Sequence, residues 1–486
     1  MGAGFNIQIV NATPYIINKQ KSDQYQMEWN PSSQILPNSL TQFYAEFKET
    51  IGTYSIDDSA YADYTVDGVS NFQFTIRAQK KGVDNLSTPV PSEAGYGVLV
   101  EWSKNLPNDF WVYLPPALNN DSNGFKSSIG WIHDGVVTVG IGYFPNQSQQ
   151  QISLPSPYPT PNYGSGGLDD DLTALKPSVK FWANKWMELF APCIQNLHLN
   201  ESTLPGTHDA GTYKASGITQ PWVQTQYLDI NEQLSQGVRA LDLRLIIGNG
   251  SGDNRFEICH GTYTFELKLV DVLNQVNYFL TSTSKEIIIL DLHIFQGTWT
   301  TQDYQDVSNL IIKTIGTNKL IPPSGISQTL QDIWNTSRRV VVGAREFNSD
   351  MSGWIEQNTP FWDSSVKQFW CGTSVTTWSS VSSYLQQQID QVSQPKAFFW
   401  SLMAQYNYIV TGGVPGVPAN VPQELSKFFT GLNGIKSNII ATDWWNRVNS
   451  NSGQTETSIP NFSALINAVP LNILKGYRRQ NNLPLW

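Results

Sequence analysis

Hydrophobic side chains occupy every second position in several segments of the first third of the chain. The alternation is clear over 5–9, 72–76, 98–102 and 137–143, and turn-rich segments separate these runs. Strands with one face on a core and the other in water produce a period of two. The pattern therefore predicts an N-terminal antiparallel β-sandwich over residues 1–154.

The hydrophobic pattern changes in the second part of the chain. Apolar residues recur at helical spacing over 267–280, and short continuous apolar runs follow at 287–290, 340–342 and 439–441. Continuous apolar strands that alternate with helices indicate a parallel sheet covered on both faces. Residues 171–486 are thus predicted to form a (β/α) barrel of the TIM type, regular or irregular, or an open doubly wound sheet.

A Pro-rich and then Gly-rich segment separates the two patterns. Four prolines occupy alternate positions from Pro155 to Pro161, and Gly164-Ser165-Gly166-Gly167 follows. Pro-rich chains are stiff and extended, whereas Gly/Ser-rich chains are flexible. We predict an interdomain linker at 155–170, which divides the chain into two domains.

Composition and charge narrow the class of function. The chain has 486 residues, of which 40% are hydrophobic and 14% charged, and it contains 17 Trp, 20 Tyr and 22 Phe. This composition excludes a mainly disordered protein. The formal net charge of −10 argues against a nucleic-acid partner and against simple electrostatic docking on anionic lipid.

Targeting and cysteine signals are sparse. No apolar run reaches the roughly 18 residues that a transmembrane helix requires. The first residues show no signal peptide, although a signal removed before residue 1 would leave the same pattern. The three cysteines are scattered, which excludes a disulfide scaffold and a Cys-rich zinc site.

Five histidines are present, and three of them lie near the ends of short apolar runs in the second domain: His208, His260 and His293. In a (β/α) barrel, catalytic groups collect at strand ends. A single histidine is more often structural, but three at such positions make a catalytic site a serious candidate.

Four segments in a fixed order resemble a known family. They are 204–213 with Pro-Gly-Thr-His-Asp, 233–244 ending in Leu-Asp-Leu-Arg, 259–261 reading Cys-His-Gly, and 286–293 ending in Leu-Asp-Leu-His. The series resembles the X domain of phosphatidylinositol-specific phospholipases C, most closely the bacterial-type, calcium-independent, X-domain-only branch. The resemblance runs from about Trp186 to about Asp443 and implies a TIM-type barrel.

The resemblance also implies a role for each matching residue. His208 corresponds to the general base on the inositol 2-hydroxyl, and Asp443 to the aspartate that orients it. His260 corresponds to the general acid that protonates the departing diacylglycerol oxygen, and Asp209 to the carboxylate that supports this acid. Arg345 stands where bacterial enzymes place an arginine that contacts inositol. The implied products are diacylglycerol and inositol cyclic phosphate.

The chemistry of the side chains agrees with these roles. Two imidazoles titrate near neutrality, so one can accept a proton while the other donates one. A phosphoryl group that gains negative charge needs a fixed cation, which Arg244 can supply as a planar fork. Asp242 and Arg244 are both candidate catalytic residues, with an ordinary ion pair at the barrel rim as the alternative.

Arg244 and His293 favour a site without metal or cofactor. Calcium-dependent members carry a Glu-x-Asp pair of ligands on this strand, where the present chain has Asp242-Leu243-Arg244. An arginine at a ligand position repels Ca²⁺ and can replace its charge. His293 stands where bacterial enzymes have lysine and calcium-dependent ones glutamate, and we count it among the substrate-binding residues.

Bacterial members stack an aromatic ring on inositol, and the sequence offers several tryptophans for this role. Trp362, Trp370 and Trp378 lie in the interval of the chain where the stacking residue is expected. For each of them the alternative is an ordinary core tryptophan. We take Trp378 as the candidate.

The first domain resembles the aegerolysin sandwich over 5–13, 29–31, 41–46 and 52–54. That family includes membrane-lipid binders and components of two-part insecticidal toxins. A tethered lipid-binding module would raise the effective concentration of an enzyme at an interface. We therefore expect a secreted or peripheral membrane protein whose partners are a phospholipid surface and an inositol phospholipid.

Two other functions stay open. One is a lipid-binding or pore-forming toxin with an inactive barrel, which the intact set of His208, His260, Arg244 and Asp443 disfavours. The other is a different phosphodiesterase that cleaves glycerophosphodiesters or sphingomyelin. That class needs carboxylates around a divalent cation, and the 242–244 segment lacks such a pair.

Overall fold

The structure is a computed structural model that describes residues 3–47, 58–80, 96–145, 183–344, 359–406, 422–443 and 463–486, apart from short gaps at 71, 103–106, 108, 114–118, 121–125, 130–134, 214, 216–219, 227, 363–365 and 373–374. The predicted linker at 155–170 and the candidate Arg345 lie outside the described residues.

The described part of the first domain contains twelve strands in two sheets. The strands are β1 (Ala3–Ala12), β2 (Ile17–Tyr25), β3 (Met27–Trp29), β4 (Gln34–Ile35), β5 (Ser39–Phe47), β6 (Ser59–Val66), β7 (Gln73–Lys80), β8 (Tyr96–Trp102), β9 (Phe110–Tyr113), β10 (Asn119–Asn120), β11 (Lys126–Ile129) and β12 (Val136–Tyr143). One sheet has the order β3-β5-β1-β12-β9 and the other β10-β11-β8-β7-β6-β2-β4. The segments with alternating hydrophobicity fall on β1, β7, β8 and β12.

Both sheets contribute to one hydrophobic core. Phe5 from the first sheet and Tyr64 and Phe74 from the second belong to the same buried cluster, which is what a β-sandwich requires. The purely antiparallel prediction is wrong, because β1 and β12 pair in parallel over 6–12 and 136–142. Alternation along a strand gives its two faces and not the direction of its neighbour, so the pattern could not show this.

The second domain is built on seven parallel strands. They are β13 (Leu204–Thr207), β14 (Ala240–Ile247), β17 (Ile288–Gln296), β18 (Val340–Ala344), β19 (Val366–Phe369), β20 (Phe399–Met403) and β21 (Ile439–Thr442). Two further strands, β15 (Phe256–His260) and β16 (Tyr263–Lys268), extend the carboxyl end of β14 as an antiparallel hairpin.

The strand order is that of a curled sheet of the kind found in (β/α) barrels. It runs β19-β20-β21-β13-β14-β17-β18, so that the last strand, β21, lies next to the first, β13, and parallel strands consecutive in the chain are neighbours except β18 and β19. A doubly wound sheet would instead reverse direction at a switch point. Among the described residues no ladder joins β18 to β19, and Trp362, which precedes β19, forms an isolated parallel bridge to Gly343 of β18.

Short helices cover the outside of this sheet. The α-helices of the described residues are α1 (Trp186–Leu189), α2 (Ala191–Ile194), α3 (Gln220–Val223), α4 (Ile230–Ser235), α5 (Leu269–Thr281), α6 (Thr301–Ile315), α7 (Leu330–Trp334), α8 (Trp378–Asp390), α9 (Pro422–Phe428), α10 (Gly431–Lys436) and α11 (Ser463–Gln480), with 3-10 turns at Gly252–Arg255, Thr317–Lys319 and Pro323–Ser327. The helix predicted over 267–280 is α5, except that Leu267 belongs to β16. Capping boxes begin α4, α6 and α7 at Asp229, Thr300 and Thr329, each stabilising its helix by about 1 kcal/mol.

A buried ion pair ties the amino ends of β14 and β17 together. Arg239 Nε donates to Glu286 Oε2 at 2.7 Å, and both side chains are fully buried. The remaining guanidinium hydrogens go to backbone carbonyls, among them those of Ala183 and Asn184. Because every donor has an acceptor, the charge is tolerated in the core.

Helix α11 packs between the two domains. On one side an ideal Cβ on Gly140 of β12 would lie only 3.0 Å from Pro470 Cβ, so the strand and the helix approach closely. On the other side the Asn472 amide exchanges two hydrogen bonds of 2.8 Å with the backbone of Thr203, just before β13. The helix therefore belongs to the barrel and to the interface at once.

Buried polar groups also cross this interface. Thr138 Oγ1 donates to Asn467 Oδ1 at 2.8 Å and accepts from Gln8 Nε2 at 3.3 Å. Asn467 Nδ2 donates to the Ser426 carbonyl, and Gln8 Oε1 accepts from the Gly431 amide. Gln8, Thr138, Ser426 and Asn467 are completely buried. The two domains are therefore packed against each other as well as joined by the chain.

The helices of the described residues include none that is both long enough and apolar enough to cross a bilayer.

Candidate active site

His208 and Asp443 meet because their strands are neighbours. His208 directly follows β13 and Asp443 directly follows β21, and these strands pair in parallel with Thr207 opposite Thr442. His208 Nδ1 lies 2.7 Å from Asp443 Oδ1. A carboxylate only accepts, so Nδ1 carries the hydrogen and Nε2 is turned toward the site.

Arg244 contacts His208 and Asp209 together. Its Nη2 lies 2.8 Å from His208 Nε2, and its Nε lies 2.5 Å from Asp209 Oδ1. Arginine only donates, so this contact makes His208 Nε2 an acceptor. Strand β14 continues to Ile247, so Arg244 lies within the strand. Its nearer carboxylate is Asp209, whereas Asp242 Oδ2 is 4.0 Å away.

The Asp209 carboxylate lies between the two histidines. Its Oδ2 is 3.3 Å from His208 Nε2 and 3.7 Å from His260 Nε2. The second distance exceeds a hydrogen bond and lies within the range of an ion pair. Asp209 has a φ of 45°, a left-handed conformation that costs energy for a residue other than glycine and concentrates at functional sites. The Asp209 amide donates to Asp242 Oδ2 at 3.3 Å.

His260 is oriented by a backbone carbonyl. It ends β15, in the hairpin beside the barrel strands, and its Nδ1 lies 2.9 Å from the Val223 carbonyl oxygen. Since a carbonyl only accepts, Nδ1 carries a hydrogen and Nε2 faces Asp209. Sequence reasoning missed Val223, and no side-chain signal could have found it because the contact uses the backbone.

His293 belongs to a second group of polar side chains within the barrel. Its Nδ1 lies 3.6 Å from Asp291 Oδ2, and Gln368 Nε2 donates to the same oxygen at 3.1 Å. Asp291 pairs in register with Asp242 on β14. Asp291 was not singled out from the sequence, although its spacing of two from His293 places both on one face of β17.

Two sets of ligand atoms could surround a cation. One consists of His208, Asp209 and Asp242, and the other of Asp242, Asp291 and His293; within each set the atoms lie within 4.8 Å of one another. The Arg244 guanidinium already contacts the first set. The second set has two carboxylates and an imidazole, a donor set that suits a divalent ion.

The electrostatics of the site favour a strong base. Burial lowers the pKa of His208, but the Asp209 and Asp443 carboxylates raise it, and the net shift is above the usual 6.5. Burial raises the pKa of Asp443 more than His208 lowers it. For Asp242 the charge of Arg244 and the nearby histidines outweighs burial, so its pKa is lowered and it stays ionised.

Comparison with known proteins agrees with the sequence resemblance. Residues 208–346 match the family of the phosphatidylinositol-specific phospholipase C X domain. This X-domain match begins at His208 and contains Arg244, His260 and His293. Asp443 lies beyond it and joins the site only through the pairing of β21 with β13.

Curated relatives carry X-domain names. PI-PLC X domain-containing protein 1 of Danio rerio is 28% identical over 241 residues, which are 44% of this chain and 73% of that protein. The Homo sapiens protein of the same name is 28% identical over 217 residues, and the chain spans 64% of its length. The solved phosphatidylinositol-specific phospholipase C from Listeria monocytogenes is 17% identical with a TM-score of 0.43, covering 60% of this chain and 98% of that chain.

The tryptophans beyond the X-domain match have different surroundings. Trp378 begins α8 and packs edge-on against Phe428 with ring centroids 5.9 Å apart, as a partly buried core residue. Trp362 is buried, and its Nε1 donates to the Ile321 carbonyl. Trp370 directly follows β19 and is 47% exposed. It is thus Trp370, at the carboxyl end of a barrel strand, that is exposed on the side of the site.

Proposed function

We propose that this protein is a phosphodiesterase that cleaves phosphatidylinositol-type lipids by intramolecular phosphoryl transfer. The observation that carries the proposal is the arrangement of two imidazoles and one guanidinium around Asp209. Each histidine has its Nδ1 occupied, by Asp443 or by the Val223 carbonyl. Both Nε2 atoms lie near Asp209 Oδ2 and are the ring nitrogens that can act on one phosphorus centre once Arg244 releases His208.

The base step begins at His208. The inositol 2-hydroxyl takes the place of Arg244 Nη2 at His208 Nε2 and gives up its proton there, while its oxygen forms a bond to phosphorus. Asp443 stabilises the resulting imidazolium through Nδ1. The raised pKa of His208 makes it a stronger acceptor than free imidazole.

The acid step falls to His260. In its protonated form Nδ1–H stays on the Val223 carbonyl, and Nε2–H is given to the glycerol oxygen as the bond from that oxygen to phosphorus breaks. The products are diacylglycerol and a five-membered inositol cyclic phosphate. One proton enters at His208 and one leaves from His260, so the pair exchanges roles for a later ring opening by water.

Arg244 supplies the fixed positive charge. Its Nε remains paired with Asp209, so Nη2, once released from His208, can donate to a phosphate oxygen. A donor held in place before the reaction stabilises the developing charge without reorganisation. His293 and Arg345 are proposed to contact the inositol hydroxyl groups.

Two exposed tryptophans suit a site that works at a lipid surface. Trp222 of α3 is 40% exposed and adjoins Val223, which contacts His260, and Trp370 is exposed after β19. Indole rings favour the headgroup zone of a bilayer. We also propose that the aegerolysin-like first domain binds lipid, and that the protein acts in secreted form or bound to the membrane periphery.

The test is turnover of inositol and choline phospholipids in vesicles, with and without EDTA, by the wild type and by the His208→Ala and His260→Ala variants. We expect release of diacylglycerol and cyclic phosphate from the inositol lipid alone, unaffected by EDTA and lost in both variants. Vesicle binding without any turnover would instead support a toxin with an inactive barrel.

The group formed by Asp242, Asp291 and His293 favours one second candidate, a metal-dependent phosphodiesterase. Its ligand atoms are close enough to share a cation, and Asp242 belongs to this group and to the group around His208. Turnover of choline lipid that EDTA abolishes and a divalent ion restores would identify this activity.

A further inference from the structure

The segment 223–226 contacts both histidines and the strand end that leads to Asp443. Val223 gives its carbonyl to His260 Nδ1. Thr225 Oγ1 donates to the His208 carbonyl at 3.1 Å. Gln226 Nε2 donates to two carbonyls, that of His208 at 2.8 Å and that of Thr442 at 2.9 Å.

Gln226 joins two strand ends at the residues that carry the proposed base pair. His208 follows β13, and Thr442, the last residue of β21, precedes Asp443. The two amide hydrogens of Gln226 leave one nitrogen at a fixed angle, so together with the His208 amide, which donates to the Thr442 carbonyl at 3.1 Å, they set the spacing of the two carbonyls. Gln226 is completely buried. If its two hydrogen bonds were lost, the two carbonyls would be left without this donor in a place that water does not reach, which costs free energy.

We infer that Gln226 is a positioning residue that holds His208 and Asp443 at hydrogen-bond distance. The inference deepens the proposed function, and its effect on turnover rests on that function. The geometry of the His208–Asp443 pair can be measured without any substrate. A shift of about 1 Å in a reacting group can cost roughly 100-fold in rate, so a residue that fixes the pair matters even though it touches no substrate.

The chain offers a matched control in Gln233. This glutamine is also completely buried, and its Nε2 also donates to two carbonyls, those of Ala210 and Leu228, at 2.8 and 2.7 Å. Neither carbonyl belongs to a proposed catalytic residue. Loss of the Gln233 bonds should therefore cost stability alone.

The experiment compares Gln226→Met with Gln233→Met in the full chain, since methionine keeps the volume and removes the donors. The readouts are thermal stability, NMR titration of the His208 imidazole labelled with ¹⁵N, and the separate values of kcat and KM. His208 faces Asp209, Asp242, Asp443 and Arg244, and of these Asp443 directly follows Thr442, whose carbonyl accepts from Gln226.

We expect both variants to lose stability, and Gln226→Met alone to lower the pKa of His208 and weaken its Nδ1–H signal. Its kcat should fall roughly 10- to 100-fold with little change in KM. An unchanged His208 titration in Gln226→Met, or an equal change in Gln233→Met, would overturn the inference.

Two arms keep the test decisive. If Gln226→Met does not fold, Gln226→Asn is measured instead, because its shorter amide cannot span both carbonyls and should shift the titration in the same direction. If the wild type fails to cleave inositol lipid, the proposed function is wrong, but the NMR titration still decides the role of Gln226.

Discussion

At the scale of single residues, each charged group of the site contacts several of the others. Asp209 faces two histidines and Arg244, and it does so from a left-handed backbone position. Arg244 in turn contacts His208 through Nη2, so one guanidinium serves both Asp209 and His208. Changing one member therefore alters the surroundings of the others, and effects on rate should not add.

Replacing His208 or His260 by Ala should each reduce turnover of inositol lipid by about 10²–10⁴-fold, the usual contribution of an acid–base group. The measurement is kcat/KM on dispersed substrate with the fold checked by circular dichroism. His198→Ala is the control, because His198 lies in the same domain and pairs with Thr329 away from the site. Near-normal turnover in either site variant would contradict the assigned roles.

Replacing Arg244 by Lys keeps the charge and loses the planar fork that reaches Asp209 and the phosphate together. We expect a loss of roughly 10²–10³-fold in kcat, as for other fixed donors to a developing anion. Turnover is measured with and without EDTA, and the wild type should resist the chelator. Loss of wild-type activity in EDTA and its recovery with Ca²⁺ would show that a metal, and not Arg244, provides the charge.

The pH dependence follows from the raised pKa of His208. The base must be unprotonated in the free enzyme, so kcat/KM should fall as the pH drops through a value above 6.5. Asp443→Asn removes one carboxylate that raises this pKa, so the acid limb should move to lower pH while the maximum rate falls. A pH–rate profile of both proteins checks the prediction, and an acid limb that does not move excludes the pairing.

At the scale of elements, the sequence indicated the strands well and their partners less well. The apolar runs at 287–290, 340–342 and 439–441 lie on β17, β18 and β21. The motif residues could be predicted because each lies on or directly after a strand. Three features could not be predicted, because each depends on backbone groups far away in the sequence that no local pattern encodes. They are the parallel pairing of β1 with β12, the bond from His260 to the Val223 carbonyl and the bonds from the Gln226 side-chain amide.

The Arg239–Glu286 pair, which joins the amino ends of β14 and β17, can be tested by its effect on the free energy of unfolding. Glu286→Gln leaves a buried guanidinium without its carboxylate, which typically costs about 3–5 kcal/mol of unfolding free energy. The control is Asp306→Asn at the partly exposed Arg255–Asp306 pair, which should cost at most about 1 kcal/mol. Chemical denaturation measures both, and equal losses would show that burial of the pair does not matter.

At the scale of the whole molecule, the interface distinguishes a packed first domain from a loosely tethered one. The Pro- and Gly-rich segment predicts a tethered module, whereas α11 and the buried groups around Thr138 hold the domain against the barrel. The contacts run along the outer helices, away from the carboxyl strand ends that carry His208 and Asp443. The first domain is thus held in a set position on the flank of the barrel, and any lipid contact it makes is made from there.

This packing predicts that the two domains unfold together. Thr138→Val leaves Asn467 Oδ1 and Gln8 Nε2 buried without that partner, which should cost about 1–3 kcal/mol, and Asn467→Leu should cost a similar amount. The double variant should lose less than the sum of the two, because the Thr138–Asn467 bond is then lost once and neither of its groups is left unpaired. Calorimetry should show one transition that shifts as a whole in every variant. Two transitions, with only one of them shifted, would mean that the domains fold independently and that the interface does not couple them.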